Sequence, residues 1–428
     1  MEVGSDTRNR VTAIIIRMKN TLKHVLALPF ALALLGASLA AQESVAPALP
    51  APGKTDGKPA DLAKPVKVFI MLGQSNMLGL GNINSGGPCP LEDAVKKQNL
   101  YPFLLGETGD WVERQDVRNV SLMTANDVTE ILHNEWLKVG GGNGKSAGKL
   151  GVEFAVGHLL GNAHEEPVML LKCCIGNRSL GHDLLPPGSK GYDFVIKEKQ
   201  GKEVVEVTYT YAGYHEFPVR WVKGEKPAAP ATGPDTPVKY DSGYGNYAKP
   251  RAGKPAPPPT INPWHAGIHY DWDIGAAKKA LAQLGTYYPG AKNYEVAGFF
   301  FWQGEKDCGD PGLAAHYEAN LVRFIQSVRQ DFNAPNAKFV LGTLGEHVKG
   351  TATGPQGDVL NAHLAVDGAS GKYPEFRGNV ATVYTHPMAR GGSGNGHYGM
   401  DSRVYMDVGL AMGDAMLKLL QADPEESK

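Results

Sequence analysis

The segment Val66-Lys67-Val68-Phe69-Ile70-Met71-Leu72-Gly73-Gln74-Ser75-Asn76-Met77 decides the fold class of this chain. An apolar run rich in β-branched residues ends at Gly73, and a serine follows two residues later. This pattern is typical of a buried parallel strand that carries a hydroxyl to the carboxyl edge of a sheet. A serine at that edge is a candidate nucleophile if a base and an oxyanion hole meet it.

Strand and helix patterns alternate along the rest of the chain, which predicts an α/β fold with a three-layer, doubly wound parallel sheet. The predicted strands are 66–72, 167–174, 296–302, 339–344 and 380–384, and the predicted helices are 151–163, 272–287, 313–332 and 404–420. Residues 186–263 break the pattern and predict an insertion, with a β-hairpin that includes 204–211 and a Pro- and Gly-rich arm after it. The insertion either shapes substrate access or is a passive surface loop.

The composition of the 428 residues is that of an ordinary globular protein, with 42% hydrophobic and 20% charged residues. The formal net charge is -1, and no basic patch of the kind that nucleic acid requires stands out. We therefore expect no nucleic-acid partner.

The N-terminus predicts an export signal over residues 1–41. Basic residues precede an apolar run from Val25 to Leu35, and Ser38 and Ala40 then fit the rule for signal cleavage. Because the apolar run is short for a membrane span, cleavage is favoured over a retained anchor. We expect a periplasmic or secreted protein without stable membrane insertion, with a disordered linker at 42–64 and the folded domain at 65–425.

Cysteine and histidine spacings indicate no metal site. No CxxC pair is present, and His265 and His269 have helical spacing without a neighbouring carboxylate motif, so packed or solvated histidines are favoured. We predict neither a metal nor an organic cofactor. Export permits disulfides, but four cysteines allow three pairings, and the sequence does not choose among them: Cys89, Cys173, Cys174 and Cys308.

Three further segments carry polar groups at positions that the carboxyl edge of the predicted sheet would bring close to Ser75. Gly176 follows the strand at 167–174 and could let a backbone N–H approach an oxyanion. Gln303, Glu305 and Asp307 follow the apolar strand at 296–302 and offer an amide donor and two carboxylates. His397 stands in a Gly-rich loop before the last helix, as a mobile general base would.

Together these segments resemble the GDSL-like (SGNH) hydrolases, and among them the sialate O-acetylesterase-like branch, carbohydrate esterase family six. Gly73–Met77 is similar to the first block of that branch, Gly-Gln-Ser-Asn-Met, and Trp302–Asp307 is similar to its third block. Gly176 stands at the glycine of the second block, and His397 matches the last. The resemblance runs from about Val66 to Leu420 without the insertion, and implies a flavodoxin-like SGNH hydrolase fold.

The resemblance implies a serine esterase that acts on acetylated carbohydrates. Ser75 would attack the acetyl carbonyl, and His397 would accept the Ser75 proton and return it to the sugar hydroxyl. The N–H groups of Ser75 and Gly176 and the Gln303 amide would form the oxyanion hole. The residues beside these blocks would contact the substrate: Gln74, Asn76, Asn177 and Arg178.

One position departs from the family pattern. Members usually carry an Asp three residues before the catalytic His, and Gly394 stands there in this chain. Asp307 or Glu305 is the favoured acid to orient His397, with a Ser–His dyad and Asp401 as the alternatives. Asp401 also fits the N-cap of the last helix.

Several other residues are secondary candidates. His386, which follows a predicted strand, is a rival base. Trp264, Tyr270 and Trp272 flank the insertion and are candidates to line a carbohydrate cleft, whereas Trp302 is expected in the core.

Two classes of function remain open on the sequence. The first is an exported carbohydrate acetylesterase, for sialate or else for xylan or another polysaccharide. The second is a non-catalytic carbohydrate-binding protein of the same fold that has lost the triad acid. Substrate pockets lie in loops that the sequence does not position, so the acetylated sugar is not defined.

Overall fold

The computed structural model describes residues 48–84, 89–228 and 264–422. The predicted export signal lies outside these residues, as do the start of the linker and residues 229–263 of the insertion, which hold most of the predicted arm. Among the helices of the described residues, none combines the length and the apolar character needed to cross a bilayer.

The described residues form the following elements. The strands are β1 (Val66–Gly73), β2 (Gly81–Asn82), β3 (Glu113–Ala125), β4 (Val128–Lys138), β5 (Lys149–Leu150), β6 (Val168–Cys173), β7 (Tyr192–Gln200), β8 (Glu203–Tyr211), β9 (Arg220–Val222), β10 (Tyr294–Trp302), β11 (Lys338–Gly342) and β12 (Val380–Val383). The α-helices are α1 (Ser75–Leu78), α2 (Leu91–Lys96), α3 (Glu153–Ala163), α4 (Ile268–Ala282), α5 (Leu284–Tyr287), α6 (Pro311–Ala315), α7 (Tyr317–Asp331), α8 (Gly354–Ala365) and α9 (Ser402–Gln421).

The central sheet has seven strands in the order β12-β11-β10-β1-β6-β3-β4. Neighbouring strands are parallel except β3 and β4, which pair antiparallel at one edge. The α/β prediction is therefore confirmed, with the correction that the sheet is mixed rather than wholly parallel. β1 lies in the middle, where the winding of the chain reverses, and ligands bind at such switch points in open α/β sheets.

Alternate side chains of β1 enter two different cores, as the period of a strand requires. Phe69 and Met71 pack in the core that α3 and α9 cover. Val68, Ile70 and Leu72 pack in the core that α4, α7 and α8 cover. All five side chains are buried, so β1 is covered on both faces, as its apolar run predicted.

The β3–β4 hairpin was not predicted, because both strands carry many charged and polar residues. A local signal was present in the turn. Asn126 and Asp127 connect the strands with φ of 51° and 63°, which is the left-handed geometry of a two-residue hairpin turn.

The predicted helix at 313–332 is two helices in the structure, α6 and α7, which meet at His316. Asp310 caps the N-terminus of α6 by accepting hydrogen bonds from the N–H groups of Gly312 and Leu313. Helix α8 was not predicted. It lies against α7 and contributes to the same core.

The described part of the insertion forms a three-stranded antiparallel sheet, β7-β8-β9, which includes the predicted hairpin. This sheet rests on α6. The Tyr192 hydroxyl donates to the Gly312 carbonyl at 2.9 Å, and the Tyr211 hydroxyl donates to Asp310 at 2.5 Å. A side chain at Gly312 would collide with the Tyr211 ring, since its Cβ would lie 2.2 Å from Cζ, so only glycine permits this contact.

The described part of the predicted linker, residues 48–64, forms no helix or strand but makes specific contacts. The Asn162 amide donates to the Gly53 carbonyl at 2.7 Å, and Lys64 pairs with Glu165 at 2.6 Å. The prediction of disorder rested on composition alone, which does not register contacts with the folded domain.

Candidate active site

Ser75 begins α1 directly beyond the end of β1. The chain leaves the strand through Gly73, whose φ is +147° and whose Cβ, if present, would lie 2.3 Å from the Trp302 carbonyl oxygen. Only glycine fits this exit. The Ser75 Oγ lies 3.0 Å from the His397 Nε2, so the structure brings the predicted nucleophile and the predicted base together.

The His397 imidazole is partly buried, and burial lowers its pKa below the ordinary value. No described residue hydrogen-bonds to the His397 Nδ1 nitrogen; the single side-chain hydrogen bond of His397 is the one with Ser75. The described part of the chain therefore forms a Ser–His pair without an orienting acid, which was one of the alternatives from the sequence.

Glu305 does not orient His397, which corrects one of the two favoured predictions. The buried Glu305 carboxyl accepts hydrogen bonds from the side-chain amides of Gln74 and Asn76 instead. A Cβ at Gly394 would lie 2.6 Å from the Glu305 Oε1, so Glu305 occupies the space of the Asp that the family pattern places there. Burial raises the pKa of Glu305 to about 7.

Asp307 is also not the orienting acid. Its fully buried carboxyl accepts hydrogen bonds from the N–H groups of Leu180 and Gly181, both at 2.8 Å, and from the Gln303 amide at 2.7 Å. Burial raises the pKa of Asp307 to about 6. Asp307 thus fastens the loop after β6 to the loop after β10.

Gln303 is committed to the same network, which corrects its predicted role as an oxyanion donor. Its amide nitrogen donates to Asp307 at 2.7 Å and to the Arg178 carbonyl at 2.9 Å. Its amide oxygen accepts from the Tyr317 hydroxyl at 2.8 Å. Both amide hydrogens are used within the protein, and the side chain is fully buried.

The remaining candidates for acid and base have other partners. Asp401 caps the N-terminus of α9 and pairs with the Arg403 guanidinium at 2.6 Å, as the N-cap reading of the sequence predicted. The His386 Nδ1 lies 2.6 Å from the Gly345 carbonyl oxygen. Neither residue has a hydrogen bond to Ser75 or His397 among the contacts of the described chain.

A cavity of about 520 Å³ opens over the Ser–His pair. It is lined by Gln74, Ser75, Leu78, Leu80, Gly176, Asn177, Lys306, Gly394, Asn395 and His397. Gly176 approaches the nucleophile closely, since a Cβ there would lie 3.4 Å from the Ser75 Cβ. Within the described chain, the backbone N–H groups of Ser75 and Gly176 donate to no other residue, so both are available to an oxyanion.

The residues predicted to contact substrate divide into two groups. Gln74 and Asn177 line the cavity. Asn76 does not, because it is fully buried and its amide donates to Glu305 and to the Gly394 carbonyl. Arg178 is buried with its guanidinium 4.8 Å from the centre of the Trp264 ring, so both Asn76 and Arg178 are corrections to the prediction.

The three aromatic residues at the insertion are not part of the cavity lining. Tyr270 is buried in the core below α4, and its hydroxyl donates to Asp331 at 2.6 Å. The Trp264 indole donates to the buried Asp183 at 2.8 Å, and the Trp272 indole donates to Asp127 at 2.6 Å. Trp302 is in the core, as predicted.

Two residues near the Ser–His pair, Glu346 and Lys306, were not predicted from the sequence. Glu346 accepts a hydrogen bond from the Gly394 N–H at 2.9 Å and so holds the loop of His397. It follows a predicted strand by two residues, which is the signal used for the other candidates. Lys306 lines the cavity, with Nζ 3.1 Å from both the Asn177 carbonyl oxygen and the Asp183 carboxylate, and it lies inside the third sequence block.

The fold and the site define an α/β protein with a Ser–His pair at the carboxyl edge of its central strand. Residues 259–418 match the family model described as carbohydrate esterase, sialic acid-specific acetylesterase. This match confirms the resemblance predicted from the sequence and supports a carbohydrate acetylesterase. It covers the third block and His397 but not Ser75. No curated protein sequence matches the chain.

Three solved structures are similar to this chain at low identity. A protein from Arabidopsis thaliana shares 15% identity with a TM-score of 0.42, over 83% of this chain and 98% of that one. A carbohydrate acetylesterase from Xanthomonas citri shares 12% with a TM-score of 0.40, over 81% of this chain and 55% of that one. NanS shares 12% with a TM-score of 0.38, over 83% of this chain and 98% of that one.

Proposed function

We propose that this chain is an exported serine esterase that removes O-acetyl groups from carbohydrates through an acetyl-enzyme on Ser75. The 3.0 Å contact between the Ser75 Oγ and the His397 Nε2, beside an open cavity, carries this proposal. The family match of residues 259–418 supports an acetylated sugar as the substrate, with sialic acid as the first candidate. Export rests on the basic and apolar pattern of the N-terminal sequence.

In the proposed mechanism, the neutral His397 imidazole accepts the Ser75 proton as the Ser75 oxygen attacks the acetyl carbonyl. The N–H groups of Ser75 and Gly176 stabilise the negative oxygen that forms. The Asn177 side chain lines the cavity beside them and replaces Gln303 as the candidate third donor. His397 then protonates the departing sugar oxygen, which leaves as a hydroxyl. Water attacks the acetyl-enzyme as His397 accepts its proton, and His397 returns that proton to the Ser75 oxygen as acetate departs.

The backbone of the histidine loop takes the orienting role that an acid has in a triad. The His397 N–H donates to the Gly394 carbonyl at 2.9 Å, and the same carbonyl accepts from the Asn76 amide at 3.1 Å. The Gly394 N–H donates to Glu346. These contacts support a Ser–His dyad whose base is positioned through its own loop.

Hydrolysis of p-nitrophenyl acetate tests the proposal. We expect Ser75→Ala to lower kcat/KM by about 10³-fold or more, because the covalent route is lost. The matched control is Ser370→Ala, an exposed serine in another part of the chain, which should keep the wild-type rate. Brief incubation with substrate should also add one acetyl group to the wild type and none to Ser75→Ala by mass spectrometry.

The missing acid favours one other function, a non-catalytic carbohydrate-binding protein. That alternative holds if the wild type is as inert as Ser75→Ala on p-nitrophenyl acetate and on a panel of acetylated glycans. If the wild type is active, the same panel separates acetylated sialic acid from acetylated xylan by kcat/KM.

A further inference from the structure

A second group of chemically active side chains lies outside the Ser75 cavity. His215, His265 and Asp271 each offer one ligand atom, and these three atoms lie within 4.8 Å of one another. His215 stands in the turn after β8, His265 just before α4, and Asp271 in the first turn of α4. The cluster thus joins the inserted sheet to a helix of the main fold.

Backbone hydrogen bonds hold the two histidine segments side by side. The His215 N–H donates to the Ala266 carbonyl at 2.8 Å, and the Ala266 N–H donates to the Glu216 carbonyl at 2.9 Å. His215 has a φ of 65°, a left-handed geometry that residues other than glycine seldom adopt. Such strained positions gather at binding sites, where the surrounding contacts maintain them.

The side chains of the cluster are arranged as a mixed nitrogen and oxygen donor set. The His215 Nε2 lies 2.8 Å from an Asp271 carboxylate oxygen, and the rings of His215 and His265 meet edge to face with centroids 4.9 Å apart. The Tyr214 hydroxyl donates to the other oxygen of Asp271. Carboxylates that bind metals are commonly held by such an outer hydrogen bond.

We propose that His215, His265 and Asp271 bind a divalent transition-metal ion, with Zn²⁺ as the ion to test. Two imidazoles, a carboxylate and one water form a common zinc coordination set, with ligand distances of about 2.0–2.2 Å. For this geometry the ligand atoms that lie as far as 4.8 Å apart must come closer, and His215 and Asp271, whose atoms are 2.8 Å apart, must separate slightly. The partial exposure of His215 and Asp271 permits that adjustment. The ion would cross-link the turn after β8 to α4.

Thermal unfolding of the full chain without an affinity tag tests the site. After removal of metals with a chelator, ZnCl2 should raise the Tm of the wild type by about 2–5 °C, since an ion that binds only the folded state stabilises it. His215→Ala and Asp271→Asn should lose this rise. The matched control is His316→Ala, which removes a histidine outside the cluster and should keep the rise.

Co²⁺ gives an independent readout, because a tetrahedral site produces visible absorption that His215→Ala should abolish. The proposal is overturned if the wild type neither gains Tm nor retains zinc in elemental analysis after dialysis. It is equally overturned if His215→Ala and Asp271→Asn respond to zinc as the wild type does. Ser75→Ala should keep the zinc response, and His215→Ala should keep esterase activity. The zinc proposal and the esterase proposal can therefore be disproved separately.

Discussion

Ser75 and His397 meet although 322 positions separate them in the sequence. A local feature of the backbone positions each of these two residues. Ser75 follows the sharp exit at Gly73, and His397 sits at a φ of 51° in a turn rich in glycine. At the scale of the residue, the chemistry of the pair depends on the protonation of a single imidazole.

The pH dependence of hydrolysis should report that imidazole. Burial holds the pKa of His397 below 6.5, and the neutral form is the one that accepts a proton. A lower pKa keeps the neutral form present at lower pH, so kcat/KM should fall only as the pH drops through a midpoint below about 6.5. The measurement is the pH profile of p-nitrophenyl acetate hydrolysis. A midpoint above 7 would mean that a carboxylate stabilises the imidazolium.

Substitutions of Gln303 and of Asn177 should distinguish a structural role of the side-chain amide from a catalytic one. Gln303→Ala removes one of the three donors to the buried Asp307 and leaves the Arg178 carbonyl without its donor, so we expect a loss of about 2–4 kcal/mol in the free energy of unfolding. Asn177→Ala changes an exposed side chain, but Asn177 has a φ of 59°, a left-handed geometry that alanine adopts less readily, so we expect a smaller loss of about 1 kcal/mol.

If the Asn177 amide donates to the oxyanion, Asn177→Ala should lower kcat by about 10²-fold. Urea denaturation and kcat for p-nitrophenyl acetate measure the two effects for each variant. If Gln303→Ala keeps the wild-type stability but loses much of its kcat, Gln303 is a donor of the oxyanion hole after all.

The histidine loop is the element on which the site depends. Its conformation is fixed at Gly394, whose N–H donates to Glu346 and whose carbonyl accepts from Asn76. Glu305 lies against the same glycine and also accepts from the amides of the nucleophile turn. The loop after β10 therefore joins the nucleophile turn to the base.

Gly394→Asp restores the family pattern but should reduce activity. Its Cβ would lie 2.6 Å from the Glu305 Oε1, and the new carboxylate would stand beside an existing carboxyl, so the loop must move. We expect kcat/KM for p-nitrophenyl acetate to fall by about 10-fold or more, because small displacements of a catalytic group cost rate.

Gly396→Asp is the matched control for this loop. Its Cβ would meet nothing nearer than the Ser393 Oγ at 3.4 Å, so it should stay close to the wild-type rate. Higher activity in Gly394→Asp than in the wild type would show that the loop accommodates a triad acid.

The whole molecule is organised around β1, which lies between β10 and β6 and carries the site at its carboxyl end. The inserted sheet rests on α6, and the two cores cover both faces of the central sheet. All four cysteines are free, with Cys173 and Cys174 fully buried in and beside β6. The fold is thus held by packing and hydrogen bonds without a disulfide.

Thiol chemistry checks this point on the whole chain. Burial raises the pKa of the Cys173 and Cys174 thiols, so both should react slowly with iodoacetamide in the native protein. In denaturant without a reductant, all four cysteines should be alkylated, as counted by mass spectrometry, and a reductant should leave the Tm unchanged. Two or more unreacted cysteines in denaturant would indicate a disulfide.

The sequence by itself determined the features that depend on neighbouring residues. The apolar run of β1 required burial on both faces, Gly73 set the sharp exit, and the glycines around His397 marked a loop that presents its imidazole. The alternation of strands and helices gave the α/β class, because periodicity is a local property of the chain.

Only the tertiary structure decided features that join distant segments. It paired β3 with β4, placed Glu305 in the space beside Gly394, and used both amide hydrogens of Gln303 inside the protein. It also brought His215 to His265 and Asp271, although His215 precedes His265 by 50 positions, too far for a spacing motif. The physical reason is that the partner of a buried polar group is set by packing, which no local pattern specifies.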